Sequence, residues 1–450
     1  MGDAPRSRVL AIMGSGETSP TMVMVHKDLV ARLGSGQHTA VLLDTPYAFQ
    51  ENAADISARS QAYFARSVGL KVDVVGDAGQ PASAGQAAAD LAAIRSADWV
   101  FAGPGSPSYA LSRWRGGPVA DALRERIAAG AGVTVIASAA AAAMGVLAGP
   151  VYEIYKVGAD PHWLDGLDLL GVLGLKVAVI PHYDNAEGGT HDTRFCYLGE
   201  RRLAVLERML PADAAVLGVD EHTALVFDLA AGTVEVLGRG GATVRKAGVS
   251  MVLPAGSVIS LADLRALAST GTPVPASSAG PRSARDPAGA DADRTSPAGA
   301  AGAAPGVPGP DGRADATSSL ELPELTRLAE QRFDAAERAR DGAAMVAAIL
   351  DLEAAIDAWA SDTDENDNAD RARAMLRGLI ARLGRAAVSG LADPADRLRP
   401  LVDPLLALRA SLRGDGGYAA ADLIRDALTA AGVQVRDSPD GTTWAMAESA

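Results

Sequence analysis

Short apolar runs and longer helical spacings take turns along the first half of this chain. Apolar runs over 8–13, 39–43, 71–75 and 99–102 are each too short for a helix and bounded by turn residues. Stretches with helical spacing lie between them and after them, over 22–33, 54–68, 84–95 and 118–129. The strongest transition is VTVIASAAAAAMG, from Val133 to Gly145. A β-favouring run ends abruptly in small residues and an alanine run, which predicts a buried strand, a sharp turn carrying Ser138, and a helix. Further strands are predicted over 176–180, 215–219, 225–228, 233–237 and 251–253, and a helix over 199–209. Strands alternating with helices predict an α/β fold: a mostly parallel sheet with helices on both faces. Ligands bind such sheets at the carboxyl ends of the strands, where the glycine-, hydroxyl- and acid-rich turns of this sequence fall.

The pattern then stops. From Thr272 to Ser318 the chain is Pro, Ala, Gly, Ser, Asp and Arg with almost no large apolar residue, the composition of a disordered linker. Helical spacing resumes over 323–340, 343–360, 369–383, 404–412 and 418–431, and a ribbon over 433–444 turns at Asp440-Gly441. Three segments are therefore expected: an α/β domain over 1–267, a linker over 268–319, and an α-helical bundle with a short β-ribbon over 320–450.

Composition narrows the function. The chain has 450 residues, one cysteine and a formal net charge of −14. A lone Cys196 excludes an internal disulfide and a cysteine-rich zinc site. The acidic balance opposes broad nucleic-acid binding. Gly14-Ser15-Gly16-Glu17-Thr18 opens a helix and could offer N–H groups to an anion, but it is not G-x-G-x-x-G, so no dinucleotide site is expected. Neither a cofactor nor a metal is expected. The opening MGDAPRSRVLAIMGSGE lacks a long apolar region, and the cytoplasm is the expected location.

A strand–turn–helix with a serine at its corner is the geometry of a nucleophile elbow. Its alternative is an ordinary turn with a capping serine. Several motifs around it come in the order of a known family: MGSGE at Met13, TPYA at Thr45, VFAGPGSPSYAL at Val100, PHYDN at Pro181 followed by THDTR, and GVDEHTALVF at Gly218. In this set the chain resembles the cyanophycinase and dipeptidase E family of serine peptidases, which has a class I glutamine-amidotransferase-like fold. The resemblance implies Ser138 as nucleophile and His182 as base, with Glu153 as the acid and Asp160 as its alternative. It implies oxyanion and substrate contacts from Gly105, Ala139, Asn185, Arg194 and Glu221. The implied activity is hydrolysis of a small peptide or amide with an acidic residue near the scissile bond. One departure stands out. The family reads G-[TS]-S-A-G-A, whereas this chain reads IASAAA, and a one-residue slip would put Ala139 at the apex. The alternative function is therefore an inactive, peptidase-like binding protein.

The segment from Leu408 to Trp444 is similar to the C-terminal region of cysteinyl-tRNA synthetase, with Ala421-Asp422-Leu423-Ile424-Arg425-Asp426 at its centre. No HIGH-like or KMSKS-like motif accompanies it, so aminoacylation is not expected. The resemblance implies tRNA or a synthetase-related partner as a weak contact of this region, and a homodimer is also compatible. Leu405, Leu408, Leu412, Leu423, Ile424 and Leu428 are expected in the bundle core, and Arg409, Arg413 and Arg425 on a solvated face that can reach phosphate. Asp362, Asp364, Glu365, Asp367 and Asp370 form an acidic run that would repel it. The linker composition carries its own test: limited proteolysis should cut first between Thr272 and Ser318 and leave two stable fragments. Protection of that stretch would show that it is packed.

Overall fold

The computed structural model describes residues 8–76, 83–187, 191–271, 320–360, 367–389, 394–438 and 441–447. Of the linker expected over 268–319, residues 268–270 end the helix Leu261–Thr270 instead, while 272–319, with Asp362, Asp364 and Glu365 of the acidic run, lie outside the described residues. Contacts divide the chain into two compact units, Met1–Leu320 with Ala358–Asn366, and Glu321–Asp357 with Asp367–Ala450.

Among its described residues the first unit is a mixed α/β structure with fourteen strands in chain order. They are β1 Arg8–Met13, β2 Ala40–Leu43, β3 Asp73–Val75, β4 Trp99–Ala102, β5 Gly132–Ala137, β6 Leu147–Ala148 and β7 Leu164–Asp165, then β8 Val177–Ile180, β9 Ala215–Val219, β10 Thr223–Asp228, β11 Thr233–Gly238, β12 Gly241–Lys246, β13 Val249–Pro254 and β14 Val258–Ser260. One sheet runs β14-β11-β10-β1-β5-β4-β2-β3 and a second runs β13-β12-β9-β8-β6-β7. In the first sheet β1, β5, β4, β2 and β3 pair in parallel, while β10, β11 and β14 add an antiparallel flank. Two sheets rather than one is the difference from the sequence expectation. The helix Pro107–Trp114 and the strand β12 were also not foreseen.

Strand alternation explains why the central runs read as continuously apolar. Leu10, Ile12, Val41, Leu43, Val100 and Ile136 pack on one side of the sheet. Val9, Ala11, Leu42, Trp99, Phe101, Val133 and Val135 pack on the other. A parallel sheet covered on both faces leaves no polar position to mark its period. The first of these cores also holds Val177, Val179, Ala215 and Leu217, so it is shared with the second sheet.

One cation is buried in this core region. The Arg126 guanidinium, 3% exposed, donates to Thr134 Oγ1 at 2.8 Å and to the carbonyls of Ala97 at 2.5 Å, Val133 at 3.1 Å and Asp98 at 3.2 Å. It ties the exit of the helix Ala84–Ser96 to the start of β5. Desolvation lowers its pKa to about 10, against an opposing pull from Asp98.

In the second unit the helices are Leu322–Arg338, Gly342–Ala358, Asn368–Ser389, Pro394–Gly414 and Tyr418–Ala430, followed by the hairpin β15 Val433–Ser438 and β16 Gly441–Met446. The helix expected to begin at Pro404 begins ten residues earlier and keeps Pro400 and Pro404 inside it. Interior prolines forfeit backbone hydrogen bonds. Packing offsets that loss, because Val402 and Leu406 are buried against Leu428 and Val433. This also shifts the buried stripe. Leu405, Leu408 and Leu423 are exposed, contrary to the expected core set, while Leu428 is buried and Ile424 packs at its edge. Arg409 continues the stripe at helical spacing from Val402 and Leu406 and is 1% exposed.

Removal of the Arg126 clamp should be costly, since it strands several buried carbonyls. Arg126→Met is expected to destabilise the α/β unit by about 3 kcal/mol. The check is the shift of its urea midpoint, followed by tryptophan fluorescence; an unchanged midpoint would show that water replaces the clamp.

Candidate active site

Three strand ends and one inter-sheet turn meet at the carboxyl edge of the parallel strands. β5 stays extended through Ala137, whose φ and ψ are −126° and 158°, and the helix Ser138–Ala143 starts at once. Ser138 makes the corner with φ of +45°. A left-handed non-glycine residue costs on the order of 1–2 kcal/mol, so the surroundings must hold it there. Small neighbours make room: Ala139 and Ala140 are buried, and the Ala140 N–H donates to Gly103 O at 3.2 Å. Of the two registers open in the sequence, the chain therefore puts Ser138, not Ala139, at the corner.

His182 follows β8 and is also left-handed, with φ of +48°. Its Nε2 lies 3.2 Å from Ser138 Oγ, and its Nδ1 lies 2.8 Å from Glu221 Oε1. Glu221 sits in the turn from β9 to β10, the point where the chain passes from the second sheet to the first. The Asn185 amide also donates to Glu221 Oε1 at 3.0 Å, and the Glu221 N–H donates to Asp184 Oδ1 at 2.7 Å. Burial pushes the Glu221 carboxyl up. The His182 hydrogen bond and charge, together with Asn185, outweigh that and hold it below its ordinary value.

Glu153, the acid expected from the sequence, is not the partner of His182 Nδ1. It begins a π-helical turn, Glu153–Val157, and its Oε2 is buried without a hydrogen-bond partner. The expected alternative, Asp160, offers its backbone carbonyl to His162 Nδ1 at 2.9 Å. Glu221, expected as a binding residue, holds the imidazole instead. Asn185, expected to touch substrate, is 1% exposed and stands behind Glu221. Arg194 is locked in a two-pronged pair with Asp192, at 2.8 Å on each prong, and does not line the pocket.

Gly105 and Ala139 line the same pocket as Ser138, His182 and Glu221. Gly105 has φ of +131°, and a Cβ there would fall 2.0 Å from Pro46 O, so the turn after β4 can pack on the turn after β2 only with glycine at this position. The MGSGE stretch has a related role. The Gly14 N–H donates to Thr223 O at 3.0 Å, and a Cβ on Gly16 would fall 2.2 Å from His222 Nδ1. The expected anion-binding loop is thus a cradle for the turn that carries Glu221. Ser19 and Thr21 hydroxyls reach His222 Nδ1 at 3.2 and 2.9 Å and fix that turn from the other side.

Left-handed backbone concentrates here. Among the described residues nine non-glycine positions have positive φ, and six of them are Ser138, His182, Phe195, Cys196, Tyr197 and His222. The consecutive run Phe195-Cys196-Tyr197 is anchored by N–H donation from Phe195 to Tyr183 O at 2.9 Å and from Cys196 to His182 O at 3.0 Å. It sets Tyr197 and Cys196 in the pocket wall. Burial raises the Cys196 thiol to about 12, which keeps it protonated. No group of three or more potential metal ligands is found among the described residues, and no described helix is long and apolar enough to cross a membrane.

In the second unit, Arg409 makes a two-pronged pair with Asp437 at 2.8 and 2.7 Å, and Arg413 reaches the same carboxylate at 2.9 Å. Arg425 lies 3.6 Å from Asp426 and 4.0 Å from Asp422. The three arginines expected to face phosphate all have carboxylate partners.

Two family models match parts of this chain. Residues 10–232 match the family model described as Peptidase family S51. Residues 395–444 match the one described as Cysteinyl-tRNA ligase anticodon binding domain. A peptidase crystal structure from an acI-B1 Actinobacterium aligns at 19% identity and a TM-score of 0.45, covering 56% of this chain and 97% of that one. A putative peptidase E protein from Listeria monocytogenes aligns at 17% identity and a TM-score of 0.36, covering 52% of this chain and 98% of that one. Cysteine–tRNA ligase of Salinibacter ruber is 52% identical over 60 residues, 13% of this chain and 11% of the ligase. That of Micrococcus luteus is 50% identical over 54 residues, 12% of this chain and 11% of the ligase. The chain thus spans about a ninth of the length of these ligases. Over residues 10–232 the chain is thus similar to peptidase family S51, and over residues 395–444 to the cysteinyl-tRNA ligase anticodon binding domain.

Proposed function

We propose that the α/β unit is a serine hydrolase that cleaves a small peptide or amide through Ser138, His182 and Glu221. The observation that carries this reading is the left-handed Ser138, with its Oγ 3.2 Å from an imidazole whose other nitrogen is held by a depressed carboxylate. Ser138 Oγ attacks the scissile carbonyl carbon while its proton passes to His182 Nε2. The oxyanion that forms is met by the N–H groups of Ala139 and Gly105. His182 then returns the proton to the departing amine, and water releases the acyl group by the same steps in reverse roles. Glu221 stays ionised, fixes the imidazole tautomer and stabilises the imidazolium. Asn185 and Asp184 act through Glu221 as positioning residues.

For the second unit we propose weak contact with tRNA or a synthetase-related partner, with no aminoacylation. Arg409 and Arg413 share Asp437, so phosphate would have to displace an existing carboxylate before gaining either cation.

Two measurements test these readings. A fluorophosphonate probe should label the wild-type chain and not Ser138→Ala. Glu221→Gln should slow labelling by about 100-fold or more, and Glu153→Gln by less than about threefold. Unlabelled wild type would leave the α/β unit as a binding protein, and the reverse order of the two glutamates would return the acid to Glu153. The full chain should bind cysteine tRNA with Kd weaker than about 10 μM at physiological salt and should not charge it. Tighter binding with a steep salt slope would make RNA the principal partner.

A further inference from the structure

The buried arginine on β12 takes no part in the hydrolytic steps, yet it packs against the residues that carry the base. Arg245 is 6% exposed and lies opposite Val216 of β9, and β9 lies beside β8, which leads to His182. Its Nη1 and Nη2 donate to the two oxygens of Glu200 at 2.9 and 2.6 Å, and its Nε donates to Glu207 Oε2 at 3.0 Å. Glu200 and Glu207 lie two turns apart on the helix Gly199–Arg208, so one guanidinium clamps that helix to the sheet. The other Glu207 oxygen accepts from the Gly248 N–H at 2.7 Å. Hydrogen bonding to Glu200 outweighs burial and, with Glu207, raises the Arg245 pKa, so the charge is permanent.

The ring beside this charge belongs to the left-handed run. Arg245 Cζ stands 5.8 Å from the centre of the Phe195 ring, and Arg194 Cζ, itself paired with Asp192, stands 5.0 Å from it. The Phe195 and Tyr183 rings meet with centroids 4.5 Å apart. Tyr183 lies over β9 at Gly218, where a Cβ would fall 2.3 Å from its Cδ2. Burial raises the Tyr183 phenol against the pull of the Arg245 charge. From there the path to the base is short. Tyr183 follows His182 in the chain, and the N–H groups of Phe195 and Cys196 donate to the carbonyls of Tyr183 and His182. Phe195, Cys196 and His182 have φ of +64°, +55° and +48°. Such conformations are unfavourable alone and persist only where packing holds them.

We propose that Arg245 is a positioning residue for His182. Its ion pair with Glu200 and Glu207 seats Phe195 and Tyr183, and these fix the backbone turn on which the imidazole stands. The kinetic arm of the test rests on the hydrolase reading; the spectroscopic arm does not. Both use the full-length chain. Fluorophosphonate labelling is followed across probe concentrations, giving a maximal rate and a half-saturating concentration. Phe195→Leu, which leaves the ion pair whole, should lower the maximal rate about tenfold and move the half-saturating concentration less than about twofold. Arg245→Met should lower the rate at least as far, and Arg245→Lys, which keeps the charge but not the fork, should recover part of it. The second arm is the downfield proton NMR signal of His182 Nδ1–H in its bond to Glu221, assigned by its loss in His182→Gln. It should be sharp in the wild type, and broadened or absent in Phe195→Leu and Arg245→Met. If Arg245→Met does not fold, Phe195→Leu decides. A Phe195→Leu chain with the maximal rate and the signal of the wild type would overturn the proposal, even where its urea midpoint falls. So would a wild type without the signal. An unlabelled wild type whose signal still disappears in Phe195→Leu would end the hydrolase reading and leave the positioning role standing.

Discussion

The left-handed corner at Ser138 is the constraint on which the rest of the site depends. A strand that runs extended to Ala137 and a helix that starts at the next residue leave one position to absorb the whole change of direction. That conformation is unfavourable for any side chain with a Cβ. It persists because everything around it is small or tightly placed: the alanines after it, Gly103 accepting from Ala140, and Gly105 pressed on Pro46. The same economy of side-chain volume brings β1 against the Glu221 turn through Gly14 and Gly16. Space at the strand ends is scarce, and the motifs of the sequence are mostly the residues that fit into it.

The second unit follows a different logic. Its helix Pro394–Gly414 keeps two prolines because the apolar stripe through Val402 and Leu406 closes on Leu428 and the hairpin. Arg409 lies in that stripe, so its charge is directed inward to Asp437 rather than outward to solvent. Hydrogen bonds and the charge of Arg409, aided by Thr442, hold the Asp437 carboxyl far below its usual range. A charge committed in this way serves the fold before it serves any ligand.

Much of the α/β unit was legible because a doubly covered parallel sheet needs unbroken apolar runs, and those runs mark their own strands. The division into two sheets was not, since β6 and β7 are two residues each and carry no period. Ser138 stood out by residue type, but its register did not: a strand buried on both faces shows no alternation to say where it ends. The carboxylate beside His182 Nδ1 was hidden for a related reason. Glu153 is close to the corner along the chain, whereas Glu221 reaches His182 only because β9 lies beside β8, a pairing that no local pattern encodes. In the bundle, Pro404 reads as a helix start when propensity alone is weighed, and tertiary packing overrides it.

The three residues of the site are not carried by one sheet. Ser138 leaves the larger sheet, His182 leaves the smaller, and Glu221 sits on the strand connection between them. The hydrogen bonds that align the imidazole therefore report the relative sliding of two layers that share an apolar core. A shear of one ångström between those layers would part Ser138 from His182 while every ladder bond within each sheet stayed intact. Heat or denaturant that loosens the shared core should part Ser138 from His182 before it melts either sheet, making their contact a strain gauge for the joint between them.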